Sequence, residues 1–276
     1  MKRVSLIVLV FSLVVMGGTM VAAQEQAEMQ SGPPPVMFIT REHVKLGHGA
    51  AHNKTEGAIS RAMQRANYPG RSIALQAISG SPRVLYIHPF GSFADAQKLH
   101  DTVSKDAALM EEFQSLNAAD DAQLESADIG IFSLNKELSY GSPSSLAHQR
   151  FMEIASFEVR PGHYAEFVEV TKMYIDAVKK AGIAADWAMY HLEYGGDSGI
   201  YLLFSPDKSL ADIDQSSADG KKFRDAMGED GMKKLEALIA SAIASEHSNL
   251  YVINPNQSYV PESWEKEDPG FWNPKK

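Results

Sequence analysis

Val44-Lys45-Leu46-Gly47-His48 returns 115 residues later as Val159-Arg160-Pro161-Gly162-His163. The same offset, without a gap, carries Met37 onto Met152, Ile39 onto Ile154, Gly80 onto Gly195 and Tyr86 onto Tyr201. After a slip of four residues, Asn135, Ser139 and Tyr140 reappear as Asn254, Ser258 and Tyr259. A self-match this long is an internal duplication, and each copy is one folding unit that buries its apolar face against the other.

Around that match the chain reads in segments. Lys2 and Arg3 precede an apolar run from Val4 to Met16, small residues and Val21-Ala22-Ala23. This is the order of a secretory signal peptide, residues 1–23, and the run is shorter than the roughly 20 residues a membrane span needs. Residues 24–35 are polar and end in three prolines, giving a Pro-rich tether. The first unit is residues 36–140, the linker 141–150, the second unit 151–260, and residues 261–276 form a tail. Trp264, Phe271 and Trp272 in that tail call for an irregular segment that docks its aromatics on the body.

Within the first unit, Met37 to Thr40 opens a strand, Gly49 to Ala66 reads as a helix, and Ser72 to Ile78 and Val84 to His88 read as strands about a turn at Gly80-Ser81-Pro82. One long helical stretch from Phe93 into Leu124 and a strand from Ile129 to Leu134 complete the order βαββαβ. The second unit repeats it. This is the ferredoxin-like arrangement, with helices on one face of a four-stranded sheet. The fold class expected is therefore α+β: two tandem ferredoxin-like βαββαβ units packed sheet to sheet as an intrachain α+β barrel.

The passage from strand through Arg160-Pro161-Gly162-His163-Tyr164-Ala165-Glu166-Phe167 into helix resembles the dimeric α+β barrel superfamily, including its antibiotic-biosynthesis monooxygenase-like and NIPSNAP-like members. The resemblance covers both units. It implies a barrel whose interior is the site. Its members span cofactor-free oxygenases, haem-binding proteins and chains without known chemistry.

Composition narrows the function. The full chain carries a net charge of −9, and the signal peptide holds no acidic residue, so the mature chain is still more acidic. Nucleic acid and anionic lipid are poor partners for it. With no cysteine, disulfides, thiolate catalysis and zinc–thiolate sites are excluded. Phosphate-cradling glycine loops and the Gly-x-Ser-x-Gly elbow are absent.

Candidate site residues follow from strand alternation. If Ile73, Leu75 and Ala77 pack under helices, the opposite face carries Gln76, and by the offset Trp187, Met189, His191 and Glu193. Neighbouring strands add Tyr86, His88 and Tyr201 to the lumen, and the first strand adds Arg41 and His43. A concave pocket with a few convergent polar groups is the usual form of a small-molecule site. His191 and Glu193, at i and i+2 of one strand, are the acid–base pair, with His88 a further catalytic candidate.

His48, His52 and Glu56 share one helix face at i, i+4 and i+8, which suits either a divalent metal or a solvated surface. His48 and His163 also stand where a polar residue can satisfy free N–H groups at a helix start. The leading expectation is an exported small-molecule-binding barrel without required catalysis. The alternatives are a monooxygenase-like or haem-dependent oxidoreductase, with His43, His88 or His191 as axial ligand or base, and a structural or assembly module. A single chain can close the barrel alone, and a homodimer through outer faces is compatible with that.

Overall fold

In β1, Val36–Val44, Met37 and Ile39 are buried on one face, while Phe38, Thr40 and Glu42 stand on the other. Both faces of this strand find cover, the inner one because the sheet closes on itself and the outer one beneath helices. The computed structural model describes residues 32–141 and 145–273. The signal peptide, most of the tether, residues 142–144 of the linker and the last three residues lie outside the described residues.

The remaining elements are α1 (Gly49–Arg65), β2 (Ile73–Ala77), β3 (Arg83–Phe90), α2 (Phe93–Val103), α3 (Ala107–Asp121) and β4 (Leu124–Leu134) in the first half. The second half holds β5 (Phe151–Val159), α4 (Tyr164–Ala181), β6 (Ala188–Tyr194), β7 (Ile200–Asp207), α5 (Leu210–Ala242) and β8 (Ile243–Ile253). The tail folds into α6 (Glu262–Glu267) and α7 (Pro269–Trp272). No helix among the described residues is long and apolar enough to cross a membrane.

The strands form a closed antiparallel barrel in the order β1-β3-β2-β8-β5-β7-β6-β4. Each half supplies four neighbouring strands, and the halves join at two seams, β2 with β8 and β4 with β6. Closure removes every sheet edge, which an open pair of sheets would leave exposed. Two tandem ferredoxin-like units in an intrachain α+β barrel are therefore what the chain builds.

The repeat is exact at β1 and β5 but not at the hairpins. Thr40 pairs with Tyr86, whereas its counterpart Ala155 pairs with Leu203. The structural partner of Tyr86 is thus Leu203, two residues beyond the Tyr201 that the ungapped offset gives. Gly80 and Gly195 both take positive φ at the turn, 74° and 96°. At Gly195 a Cβ would sit 2.2 Å from the Ile129 carbonyl oxygen, so only glycine fits.

The long helical stretch after β3 is two helices. Asp106 ends the first and caps the second, its side chain accepting from Leu109 N at 3.0 Å. The matching helix α5 is interrupted at Gly228, where φ is 75°. His48 and His163 occupy the N-cap positions of α1 and α4, yet neither side chain caps the helix. His48 instead bonds Gln123 Oε1 at 2.9 Å, and His163 pairs with Glu166.

The space between the two sheets is solid. Met37, Ile39, Ile73, Leu75, Leu85, Ile87, Phe132, Met152, Ile154, Tyr190, Leu202, Phe204, Tyr251 and Ile253 form one buried cluster. The tail joins it: Trp264 and Trp272 are 2% and 3% exposed and belong to the same cluster. Trp272 Nε1 donates to Ala147 O at 2.9 Å, fixing α7 against the linker. The tail docks its aromatics on the body as its composition suggested, but it is not irregular: local hydrogen bonds fold it into two short helices.

Candidate functional site

The alternation of β2 runs opposite to the sequence expectation. Ile73 and Leu75 face the lumen, and Ala74 and Gln76 face outward. Because side chains alternate with period two, one wrong parity moves every residue of the set. Gln76, Tyr86, His88, Trp187, Met189, His191, Glu193 and Tyr201 therefore lie on the outer face rather than in the lumen.

Several of them pack under helices. Trp187 packs on Ile175 and Val178 of α4 and donates from Nε1 to Leu138 O at 2.9 Å. Met189 packs with Phe167, and Tyr201 lies against the same ring at 4.8 Å. Burial pushes the Tyr201 hydroxyl up to about 12. Burial likewise holds the His88 imidazole down to about 4, against a smaller opposing effect from the Arg71 backbone.

The His191–Glu193 pair forms as expected, Nε2 to Oε1 at 3.0 Å, but it sits more than a third exposed outside the barrel. Of the lumen set, only Arg41 and His43 share the inward face of Met37 and Ile39. Arg41 sits at the barrel mouth and donates from Nε to Asp128 Oδ1 at 2.6 Å. These residues do not converge on one pocket.

Haem does not fit this interior. A macrocycle needs a flat open cavity beside an axial ligand, and here the interior is filled by the hydrocarbon cluster and the two tail tryptophans. His43 faces inward while His88 and His191 face out, so the three candidate axial ligands address different spaces.

The structure does bring ionisable groups together elsewhere. Glu42 from the outer face of β1, His52 and Glu56 from one face of α1, and Asp120 from the last turn of α3 meet beneath the first-half helices. One ligand atom from each lies within 4.8 Å of all the others. His52, Glu56 and Asp120 are 2%, 7% and 3% exposed.

His52 Nε2 bonds Glu42 Oε2 at 2.9 Å and stands 3.7 Å from Asp120 Oδ2; Thr55 Oγ1 donates to Asp120 Oδ1. Burial, then the charges of Glu42 and Asp120, pushes Glu56 up to about 8. Glu42 and Asp120 are raised too, first by burial. Of the helix-face set His48, His52 and Glu56, the last two are buried in this cluster, so they are not part of a solvated surface. His48 is exposed and bonds Gln123, whereas Glu42 and Asp120, which helix spacing cannot reveal, complete the cluster. A cavity of about 240 Å³ adjoins His52, lined by Asn53, Gln76, Arg83 and Gln257 among others.

A larger cleft, about 610 Å³, lies on the flank of the first half. Its walls are the end of α1, the turn at Tyr68–Arg71, the end of β3, one side of α2, Pro34 with Pro35, and the chain from Tyr259 to Glu265. Arg71 is fixed there: Nη1 donates to Tyr68 O at 3.1 Å and Gly70 O at 2.7 Å, and the guanidinium stacks 4.7 Å over the Tyr259 ring. Its Nε is buried with no acceptor. No carboxylate pairs with Arg71 among the described residues.

No protein-family model matches the sequence, and no curated protein matches it. Solved structures match the fold. A provisionally named monooxygenase from Fusobacterium nucleatum subsp. nucleatum superposes with a TM-score of 0.52 at 11% identity, over 80% of this chain and 93% of that one. An anthrone oxidase-like protein gives 0.51 at 12% identity, over 79% and 91%. A chlorite dismutase variant from Candidatus Nitrospira defluvii is more distant, with a TM-score of 0.44 at 10% identity over 87% and 98%, and adds nothing to the fold. At such identities the likeness carries architecture and no reaction. The chain shares the α+β barrel fold of these solved structures, with both halves of the barrel supplied by one polypeptide.

Proposed function

We propose that the protein is an exported binding protein for a small organic anion with an aromatic or apolar body, held in the flank cleft rather than in the lumen. The observation that carries this reading is Arg71. A guanidinium anchored on one edge, stacked on a tyrosine and left without a carboxylate calls for an anionic partner. Around it, Tyr68, Phe90, Leu99, Tyr259 and Pro261 give apolar walls, and the volume falls in the range of about 300–1,000 Å³ usual for such ligands. Asp95, Glu262 and Glu265 sit in the same lining and disfavour a second negative group. One acid group on a planar or greasy body is the chemistry that suits both.

The probe is anilinonaphthalene sulfonate, an aromatic monoanion. Native protein should bind about one equivalent with enhanced fluorescence, and Arg71→Leu should weaken it at least tenfold while leaving the circular dichroism spectrum intact. Equal binding by the variant would remove the cleft from consideration. Export rests on residues 1–23, and Edman sequencing of protein recovered outside the cytoplasm should begin at Gln24. An N-terminus retaining Lys2 and Arg3 would contradict it.

A further inference from the structure

The cluster of Glu42, His52, Glu56 and Asp120 is hard to understand as packing. Three carboxylates and one imidazole are gathered where water is scarce, and among the described residues no lysine or arginine pairs with any of the carboxylates. Six carboxylate oxygens share two clear donors, His52 Nε2 and the Thr55 hydroxyl. A further polar group is left over. The Tyr86 hydroxyl, on a residue 5% exposed, reaches the Glu56 carboxylate yet closes no well-formed hydrogen bond. Buried groups in this condition are costly unless something absent completes them.

The second half supplies an internal control. By the register of β1 with β5, Glu42 corresponds to Phe157, His52 to Phe167 and Glu56 to Thr171. By the β1–β3 and β5–β7 pairings, Tyr86 corresponds to Leu203, and by the β4 and β8 pairings Asp120 corresponds to Ile239. There the space is filled by rings, with Phe157 and Phe167 5.8 Å apart. Four of these five counterparts are hydrocarbon and the fifth is an uncharged threonine, so the fold itself does not call for charge here. The first half places four ionisable groups and a tyrosine where the second half packs those residues.

We propose that Glu42, His52, Glu56 and Asp120 form a binding site for one divalent first-row transition-metal ion. The donor set is oxygen-rich with a single imidazole and no sulfur, which suits Mn²⁺, Fe²⁺ or Zn²⁺ better than thiolate-seeking ions, and the imidazole disfavours Ca²⁺ and Mg²⁺. Ligand atoms on opposite sides of such an ion lie about 4.4 Å apart at most, so the observed spread needs a contraction of a few tenths of an ångström. His52 is fixed in orientation by the helix and by Glu42, and the adjoining cavity, lined in part by Asn53 and Gln76, reaches the cluster on its imidazole side. Tyr86 stands beside the ligands, where its hydroxyl would gain a partner in a metal-bound water or a reoriented carboxylate.

The test uses tag-free, full-length protein stripped with EDTA and titrated calorimetrically with Mn²⁺ and Zn²⁺, with Mg²⁺ and Ca²⁺ for comparison. One saturable equivalent of Mn²⁺ or Zn²⁺ is expected, at least a hundredfold tighter than Mg²⁺ or Ca²⁺. Glu56→Gln and His52→Gln should each weaken it at least a hundredfold, and Thr171→Ala in the other half should leave it unchanged. Zinc-edge X-ray absorption on the wild-type protein provides a readout independent of variant folding: one imidazole among oxygen donors is expected. A wild type without a saturable equivalent, binding that survives both substitutions, or a shell holding no imidazole or more than one would overturn the proposal.

Discussion

Glu56→Gln should stabilise the metal-free protein at pH 8 by about 2–4 kcal/mol and change it little at pH 4.5. Glu56 is raised from its ordinary value to about 8, chiefly by burial and then by Glu42 and Asp120. The folded chain keeps a proton that the unfolded chain releases above about 4.5. Stability is therefore full below that pH, falls as pH rises toward 8, and levels off beyond it. A shift of this size corresponds to about 5 kcal/mol at full strength, and relaxation of the cluster reduces it. The amide keeps the shape of the protonated acid without the titration. Urea unfolding with chelator present, across pH 4.5 to 9, should show a steep slope for wild type and a shallower one for the variant. Parallel slopes would mean that Glu56 does not titrate in this way.

The second large effect lies where the tail joins the buried core. Trp264 is 2% exposed and packs against Trp272 at 5.6 Å between ring centres. Trp264→Ala should destabilise the protein by about 3–5 kcal/mol, the usual result of emptying an aromatic site. For a chain of this size that lowers Tm by about 6–15 °C. Trp264→Phe is expected to behave differently. The indole Nε1 is buried with no hydrogen-bond partner, so removing it deletes a penalty as well as some packing, and the net change should stay under about 1.5 kcal/mol. Thermal unfolding of the two variants separates these cases. A small loss in the alanine variant would show that the tail is decoration.

The architecture was legible because the chain states it twice. The bounds of α1 were readable to within one residue. What could not be read was which face of each strand looks inward. Alternation distinguishes a wet side from a dry one, but a barrel strand under helices is covered on both sides. Ile73, Leu75 and Ala77 were as suitable for a helix interface as for a lumen, and only the closed ring decides between them. The aromatic and polar set went outward because under the helices a group such as Trp187 Nε1 can reach a backbone carbonyl.

The metal donors show the same limit from another side. His52 and Glu56 were visible through helical spacing, and His48 was included by the same rule although it points to Gln123. Glu42 comes from a strand and Asp120 from the end of a helix more than sixty residues further on, so no local period links them. The contrast between copies contained the missing signal for Glu42. At the ungapped offset it faces Phe157, just as His52 faces Phe167. Asp120 lies beyond the slip, where the offset no longer applies.

Joining both halves in one polypeptide has an evolutionary consequence. In a ring assembled from two identical subunits, symmetry would install every substitution twice, and four ionisable groups under one helix layer would bring four more under the other. Fusion lifts that obligation. One lobe can keep its greasy filling and hold the structure together while its twin is free to specialise.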